Sequence, residues 1–283
     1  MDNRSIAEVR LFPEETPSVA TTEELQNPIA TRPILGINVA VSSYEQLIQR
    51  SFLWGRERQS RAIFFANVHM IMEAHDDPAF FRLINRADMV NPDGMPLVWA
   101  LHALGEKNAQ RVCGFDATMA TLDAAEKAGV PVGFYGNTPA ALDALVRKVR
   151  SLHPNLKIGF LECDSTYVGS PPYRVLTPEE DAALVERIAA SGVSVLFVGL
   201  GCPKQENWIM GHVGKVPTAM FGVGAVFDYL AGRKAQAPRW MMNSGLEWIF
   251  RFATEPRRLA MRYLKLNPRF VFLFLWQLLA GPA

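Results

Sequence analysis

The residues best placed to do chemistry follow the ends of short apolar segments. Asp93 stands between Pro92 and Gly94, at the end of one such segment. Proline restricts the approach of the backbone and glycine permits a sharp exit, so this carboxylate can be presented to a ligand. A positioned carboxylate suits a general base that takes a proton from an attacking hydroxyl group. An Asp-Gly turn without a catalytic role is the alternative.

Two further polar residues stand in comparable places. Asn67 follows the apolar run Phe64-Phe65-Ala66, where a turn or a helix cap is an alternative to a ligand contact. Arg111 precedes a helix that we expect to begin near Asp116, with Asp116 as its N-cap. A guanidinium at this position suits a diphosphate, although an exposed surface arginine is the ordinary explanation.

Glycines at the exits of predicted strands offer a third kind of site. They lie in the segments 133–138, 199–206 and 222–224. Glycine lets a backbone approach a phosphate, and helix N-termini favour anions. None of these segments spells a dinucleotide-binding GxGxxG with its distant acidic residue, or the GxxxxGK[ST] of a P-loop. A nicotinamide oxidoreductase or an ATPase is therefore disfavoured, and a failure to bind NAD(P)H would exclude the first.

Metal chemistry has no motif in this sequence. HExxH and Asp-x-Asp are absent, as is the GxSxG of serine hydrolases, and the five histidines have no ligand spacing. The three cysteines, Cys113, Cys163 and Cys202, are scattered and fit a reducing compartment. We expect no metal or other cofactor, so cationic side chains and helix dipoles would neutralise a leaving diphosphate.

Alternating apolar runs and helical patterns predict the elements that position these residues. The runs predict strands near 34–40, 61–67, 130–136, 156–162, 193–199 and 217–222. Thr138 and Thr177, each followed by proline, predict the starts of two amphipathic helices, the second with a capping box. Residues 33–232 are therefore predicted to form a Rossmann-like α/β catalytic domain, with a largely parallel sheet flanked by helices.

The two ends of the chain differ from this domain. Residues 1–32 are polar and lack the apolar segment of a secretory signal, so we expect a flexible cytoplasmic leader. Residues 233–283 predict a small helical appendage, and nine Lys or Arg against two Glu lie within residues 230–283. The whole chain carries a formal charge of only +1, which argues against nucleic acid as a partner.

The appendage ends in the apolar run 270–280. This run is shorter than the about 18 to 20 residues needed to span a bilayer. Basic residues beside aromatic and aliphatic ones suit an anionic membrane surface. We therefore expect peripheral attachment to the inner face of the cell membrane, with packing on the core or on a partner subunit as the alternative.

Taken in order, these segments resemble the WecG/TagA/CpsF family, glycosyltransferase family 26, over about residues 34–263. The resemblance is carried by Asn-Pro-Asp-Gly at 91–94, Arg-Val-Cys-Gly at 111–114, Gly-Leu-Gly-Cys-Pro-Lys-Gln-Glu at 199–206, Glu-Trp-Ile-Phe-Arg at 247–251 and Glu-Pro-Arg-Arg at 255–258. It implies inverting transfer of a sugar from a UDP-sugar to a polyprenyl-diphosphate-linked saccharide, in the synthesis of exopolysaccharide or another cell-surface polysaccharide.

The resemblance also implies roles for single residues. Asp93 matches the base proposed for the family. Substrate binding is implied for Asn67, Arg111, Gly136, Gln205, Arg251, Arg258 and Arg262. Gly136 would face the nucleotide, and the appendage arginines would close over the site and contact the diphosphate. Family members can associate through the α/β domain, so a homo-oligomer is a further expectation.

Two positions depart from the family pattern. Phe65 stands where a threonine is usual, and Gln236 stands where many members have arginine. These departures motivate an alternative function, a non-catalytic nucleotide-sugar-binding or scaffold component of a polysaccharide assembly complex. Retention of Asp93, Arg111 and Gln205 favours the enzyme. Hexose, N-acetylhexosamine and uronic acid donors share the UDP part, so the sequence leaves the sugar open.

Overall fold

A computed structural model of the chain describes residues 25, 27–163 and 176–280, and at 239, 243 and 256–262 it describes the backbone alone. The strands in these ranges are β1 (Thr31–Ile34), β2 (Ile37–Ala40), β3 (Arg61–Ala66), β4 (Met89–Pro92), β5 (Val132–Tyr135), β6 (Ile158–Glu162), β7 (Val195–Val198) and β8 (Ala219–Gly222). The helices are α1 (Tyr44–Arg56), α2 (Val68–Asp76), α3 (Pro78–Ile84), α4 (Met95–Ala103), α5 (Gly114–Ala128), α6 (Pro139–Leu152), α7 (Pro178–Ser191), α8 (Lys204–His212), α9 (Val226–Leu230), α10 (Arg239–Asn243), α11 (Glu247–Thr254) and α12 (Pro256–Ala280).

Six strands form one parallel sheet in the order β4-β3-β8-β7-β5-β6. Apart from Arg61 at the start of β3, its inner strands carry no charged residue, because both faces of the sheet are covered. Along β3, Phe64 packs into one hydrophobic cluster, while Ile63 and Phe65 pack into the other. The sheet therefore lies between two helical layers, which confirms the predicted Rossmann-like α/β fold.

Five predicted strands are confirmed as β3, β5, β6, β7 and β8. The single strand predicted at 34–40 is wrong, because β1 and β2 form a separate antiparallel hairpin. Leu35 and Gly36 form its two-residue turn with φ of 47° and 81°, the positive values that such turns require. β4 was not among the predicted strands; it forms an edge of the main sheet and leads directly into Asp93.

Helix starts follow the local sequence signals with one exception. Thr138 caps α6, and Thr177 forms the predicted capping box of α7. Asp116 is not the N-cap of α5, because that helix begins at Gly114 with Cys113 as its cap. Asp116 lies in the first turn instead, where the helix dipole favours a carboxylate, and its Oδ2 accepts a bond of 3.2 Å from the Cys113 thiol.

Side-chain hydrogen bonds connect the long helix α12 to two other parts of the protein. Gln277 donates from Nε2 to the carbonyl of Pro33 over 2.7 Å, and its Oε1 accepts from the N–H of Leu35 over 2.8 Å. Arg269 donates to Asp76, at the end of α2, over 2.6 Å. These bonds join the C-terminal helix to both the hairpin and the α/β layer.

The two faces of α12 differ in exposure. Phe270 and Phe274 are buried in the core, so one face of α12 packs on the α/β core. Packing on the core was the predicted alternative to membrane contact. The other face exposes Val271, Phe272, Leu275, Trp276 and Leu279. No helix in the described ranges is long and apolar enough to cross a membrane. Contact of the exposed face with a membrane surface stays a prediction.

The predicted boundaries of the domain are only partly within the described residues. Beyond Gly232 the described elements are the helices α10, α11 and α12. Of the predicted leader 1–32, residues 1–24 and 26 lie outside the described residues, while the last two belong to β1. A division of the chain at residue 232 stays a prediction.

Candidate active site

A cleft of about 370 Å³ opens at the carboxyl ends of β3, β4, β7 and β8, and α11 and α12 contribute to its wall. Parallel α/β sheets bind their ligands at this edge. Residues that the sequence predicted as functional meet here from distant parts of the chain. The cleft is lined by Asn67, Asp93, Arg111, Gln205 and Arg251, among others.

The backbone of Asp93 is fixed from both sides. Its N–H donates to the carbonyl of Ala66 at the end of β3 over 2.8 Å, and the preceding carbonyl, of Pro92, accepts from Val112 over 3.0 Å. Gly94 then begins the turn into α4. The chain therefore leaves the sheet immediately after Asp93, and the carboxylate lies in the cleft.

Arg111 stands beside this carboxylate without a direct hydrogen bond to it. Its Nε donates to the backbone carbonyl of Asp93 over 2.6 Å. Its Nη2 lies 3.8 Å from Asp93 Oδ1, which is too far for a hydrogen bond. The guanidinium is thus anchored to the main chain of the residue whose side chain it faces.

The surroundings of Asp93 change its acidity. Burial raises the pKa of Asp93 to about 6, and the charge of Glu247 acts in the same direction, while Arg111 and Arg251 oppose it. A carboxyl group with this pKa is ionised at neutral pH and is a stronger base than an ordinary aspartate. This combination suits a general base.

α11 brings a second arginine to the cleft. Arg251 forms an ion pair with Glu247, one turn earlier on the same helix, and lies 5.8 Å from the ring centroid of Tyr229. The other oxygen of Glu247, Oε2, accepts from Arg111 Nη2 over 2.7 Å. One carboxylate therefore links two guanidiniums, and paired guanidiniums suit a diphosphate.

Two amide side chains in the cleft have structural roles. Asn67 caps α2, since its Oδ1 accepts from the N–H of Met70 over 3.2 Å, which confirms the cap interpretation. The Oε1 atom of Gln205 accepts from Gly201 over 3.1 Å, and its Nε2 donates to Glu206 over 2.8 Å. Both residues line the cleft as well, and their substrate contacts stay predictions.

Comparison with known protein families identifies the family of the chain. The sequence model of the glycosyl transferase WecG/TagA/CpsF family matches residues 32–283, nearly the whole chain. The chain belongs to this family. Membership in the WecG/TagA/CpsF family implies a glycosyltransferase-type function in cell-surface polysaccharide synthesis.

Three further residues are implied by the resemblance to the WecG/TagA/CpsF family, and only one of them, Gly136, is described with its surroundings. Gly136 is not among the lining residues. Its φ is +114°, and a Cβ atom there would lie 2.8 Å from Leu200 Cδ2, so backbone conformation and packing account for a glycine without a ligand. The side chains of Arg258 and Arg262 lie outside the described residues. Contacts of these three residues with nucleotide or diphosphate stay predictions.

Several residues of the cleft were not predicted from the sequence. Glu247 stood in a segment shared with the WecG/TagA/CpsF family but was given no role, although its position four residues before Arg251 signals an ion pair on a helix. Two aromatic pairs were also missed. They are Phe115 with Tyr229 and Trp248 with Tyr263, each edge-to-face with ring centroids 6.2 Å apart. Aromatic faces of this kind can stack with a nucleobase.

The two departures from the family pattern have different surroundings. Phe65 is buried and also lines the cleft. Its ring packs against that of Phe221, with the ring centroids 5.8 Å apart. Gln236 is exposed and lines the cleft. Among the described residues, no group of three or more His, Cys, Asp or Glu could hold a metal ion.

Proposed function

We propose that this member of the WecG/TagA/CpsF family is an inverting glycosyltransferase. Its donor is a UDP-sugar, its acceptor is a polyprenyl-diphosphate-linked saccharide, and its product enters exopolysaccharide or another cell-surface polysaccharide. The observation that carries the proposal is the surroundings of Asp93. This carboxylate, with a pKa raised to about 6, faces a guanidinium at 3.8 Å that is linked to a second one.

The chemistry follows as one displacement. Asp93 takes the proton of an acceptor hydroxyl group while the hydroxyl oxygen attacks the anomeric carbon of the donor. The bond from that carbon to the diphosphate oxygen breaks, and UDP leaves from the opposite face, so the configuration inverts. Arg111 and Arg251 stabilise the negative charge that develops on the departing diphosphate.

A lipid-linked acceptor requires access to a membrane surface. The exposed apolar face of α12 and the basic residues of the appendage support binding to the anionic inner face of the cell membrane, with the protein on the cytoplasmic side. Each Lys or Arg near such a surface contributes about 1 kcal/mol, so several of them hold a protein there reversibly.

The test is transfer of label from a panel of radiolabelled UDP-hexose, UDP-N-acetylhexosamine and UDP-uronic acid donors to a polyprenyl-diphosphate-linked saccharide. We expect label in the lipid fraction with one donor, and a product of inverted anomeric configuration. Calorimetry with UDP runs in parallel. UDP binding without transfer from any donor would favour the non-catalytic alternative, and a retained configuration would contradict the single displacement.

A further inference from the structure

Glu247 connects the appendage helix α11 to the catalytic layer. Its Oε2 accepts from Arg111, which lies in the loop before α5, over 2.7 Å, while its Oε1 pairs with Arg251. The side chain of Glu247 is only 19% exposed and that of Arg111 only 13% exposed. Removing one partner from a pair with this little solvent leaves a poorly solvated charge, which costs more than breaking a surface pair.

Glu247 and Asp93 face the same atom of Arg111. That atom, Nη2, lies 2.7 Å from Glu247 and 3.8 Å from the Asp93 carboxylate. The Nε atom of Arg111 meanwhile binds the backbone of Asp93 over 2.6 Å, so the guanidinium cannot leave this neighbourhood. Without Glu247, Nη2 would need to move only about 1 Å to bond directly to Asp93.

We propose that Glu247 is a positioning residue that keeps Arg111 out of a direct ion pair with Asp93 and aligns Arg111 with Arg251. The inference rests on the proposed role of Asp93 as the base. A carboxylate in a hydrogen-bonded ion pair with arginine is a weak base, because the pair favours its ionised form. Glu247 thus leaves Asp93 able to accept a proton and leaves two guanidiniums together for the diphosphate.

Other ionisable groups line the same cleft as Asp93. They are Arg111 and Cys113 before and at the start of α5, Tyr229 of α9, Glu247 and Arg251 of α11, Tyr263 of α12, and His69, Lys234 and Glu255 in the wall of the cleft. Glu247 combines a negative charge that acts on Asp93 with a hydrogen bond to Arg111. Glu255 pairs with Lys234 over 3.5 Å, and is the matched control.

The test measures the titration of Asp93 directly, in the full chain and without substrate. Protein labelled with carbon-13 at the aspartate carboxyl groups is titrated by NMR, and the Asp93 signal is identified by its loss in Asp93→Asn. In Glu247→Gln we expect the Asp93 transition to shift to lower pH, since a negative charge is lost and Arg111 closes on the carboxylate. In Glu255→Gln the transition stays where it is in the unmodified protein. An unchanged transition in Glu247→Gln overturns the proposal.

A second variant covers the case in which Glu247→Gln does not fold. Glu247→Asp keeps the charge but ends one methylene short of Arg111, so the same shift is expected with a smaller size. Thermal unfolding identifies which variants fold. An Asp93 transition that stays fixed in Glu247→Asp, with Glu247→Gln unfolded, also overturns the proposal.

Failure of this inference can be told apart from failure of the proposed function. The NMR titration needs no donor, so its result stands even if no UDP-sugar is a substrate. Where the unmodified protein transfers sugar, the acid limb of its rate profile should shift to lower pH in Glu247→Gln, in step with the NMR transition. Transfer by the unmodified protein together with an unshifted limb in Glu247→Gln contradicts the role of Glu247 alone.

Discussion

Arg111 bonds to the main chain of Asp93 and stands apart from its carboxylate, with Nε 2.6 Å from the carbonyl oxygen and Nη2 3.8 Å from Oδ1. The arginine is therefore fixed next to the proposed base without quenching it. A cation held in this way can assist the leaving group while the carboxylate keeps its affinity for a proton.

The first prediction concerns the pH dependence of transfer. Burial raises the pKa of Asp93 to about 6, and only the ionised form accepts a proton. The ratio kcat/KM should therefore rise with pH through about 6 and then level off, because this ratio reports ionisations of the free enzyme. The measurement is initial rates between acid and mildly alkaline pH, with UDP binding followed over the same range. A rate that is flat from pH 5 to pH 8 would contradict the assignment.

The second prediction concerns Glu206, which is fully buried beside Gln205. Burial raises the pKa of Glu206 to about 7, and its Oε2 has no hydrogen-bond partner among the described residues. The folded state therefore holds the proton more tightly than the unfolded chain does. The resulting stability is complete below the ordinary pKa of a glutamate and is lost as pH rises through about 7.

Glu206→Gln replaces the ionisable carboxyl group with a neutral amide, so the loss of stability at high pH should disappear. We expect the variant to gain stability relative to the unmodified protein at pH 8.5, by at most about 3 kcal/mol, and to gain much less at pH 5. Denaturant unfolding at the two pH values measures the difference. Glu186→Gln, at an exposed position of α7, is the control and should show no such dependence. Equal gains at both pH values in Glu206→Gln would contradict the account.

The third prediction separates packing from nucleotide binding at Gly136. An alanine there would clash with Leu200 at 2.8 Å in addition to adopting a positive φ. Gly136→Ala should therefore lose more than about 1 kcal/mol of unfolding free energy. Gly192→Ala is the control, since Gly192 has a φ of +69° with no described atom within 4 Å of its added Cβ.

Denaturant midpoints of the two variants measure this contrast. Equal losses would contradict the packing explanation. Calorimetry with UDP on folded Gly136→Ala then tests the nucleotide contact that the family resemblance implies. Weakened UDP binding in a protein that still folds would support that contact.

The fourth prediction concerns the exposed face of α12. Phe272 and Trp276 are 68% and 66% exposed, and a membrane surface would bury both. Changing both to serine should weaken binding to anionic lipid vesicles at least about tenfold, since burial of one large apolar side chain contributes roughly 1.5–3 kcal/mol. Co-sedimentation measures the binding. Leu161→Ser, at an exposed apolar position of β6, is the control. Equal binding by the unmodified protein, the double variant and the control would exclude α12 as the attachment site.

Local signals were enough to predict much of the fold. Thr138 and Thr177 mark helix starts by their own hydrogen bonds, and apolar runs mark buried strands, so neither depends on distant contacts. Asp93 could be singled out because its neighbours Pro92 and Gly94 define how the chain leaves β4. The position of these elements along the sequence then placed the site at one edge of the sheet.

Other features depend on contacts that no local pattern encodes. The bond between Glu247 and Arg111 joins residues 136 positions apart, and the bond between Gln277 and Leu35 joins residues 242 positions apart. The hairpin turn was missed because leucine rarely adopts a positive φ, so Leu35 gave no turn signal. At Gly136 the sequence could not show that packing also favours a glycine, because the close approach to Leu200 is a contact of the folded chain.

The most direct test of the central claim compares the unmodified protein with Asp93→Asn, using the donor that the panel identifies and saturating lipid-linked acceptor. The amide keeps the size of the side chain and cannot accept the proton. We expect transfer to fall by about 10² to 10⁴, the typical contribution of a general base, with UDP affinity and thermal unfolding retained. Transfer at a rate close to that of the unmodified protein would contradict the assignment of Asp93 as the base.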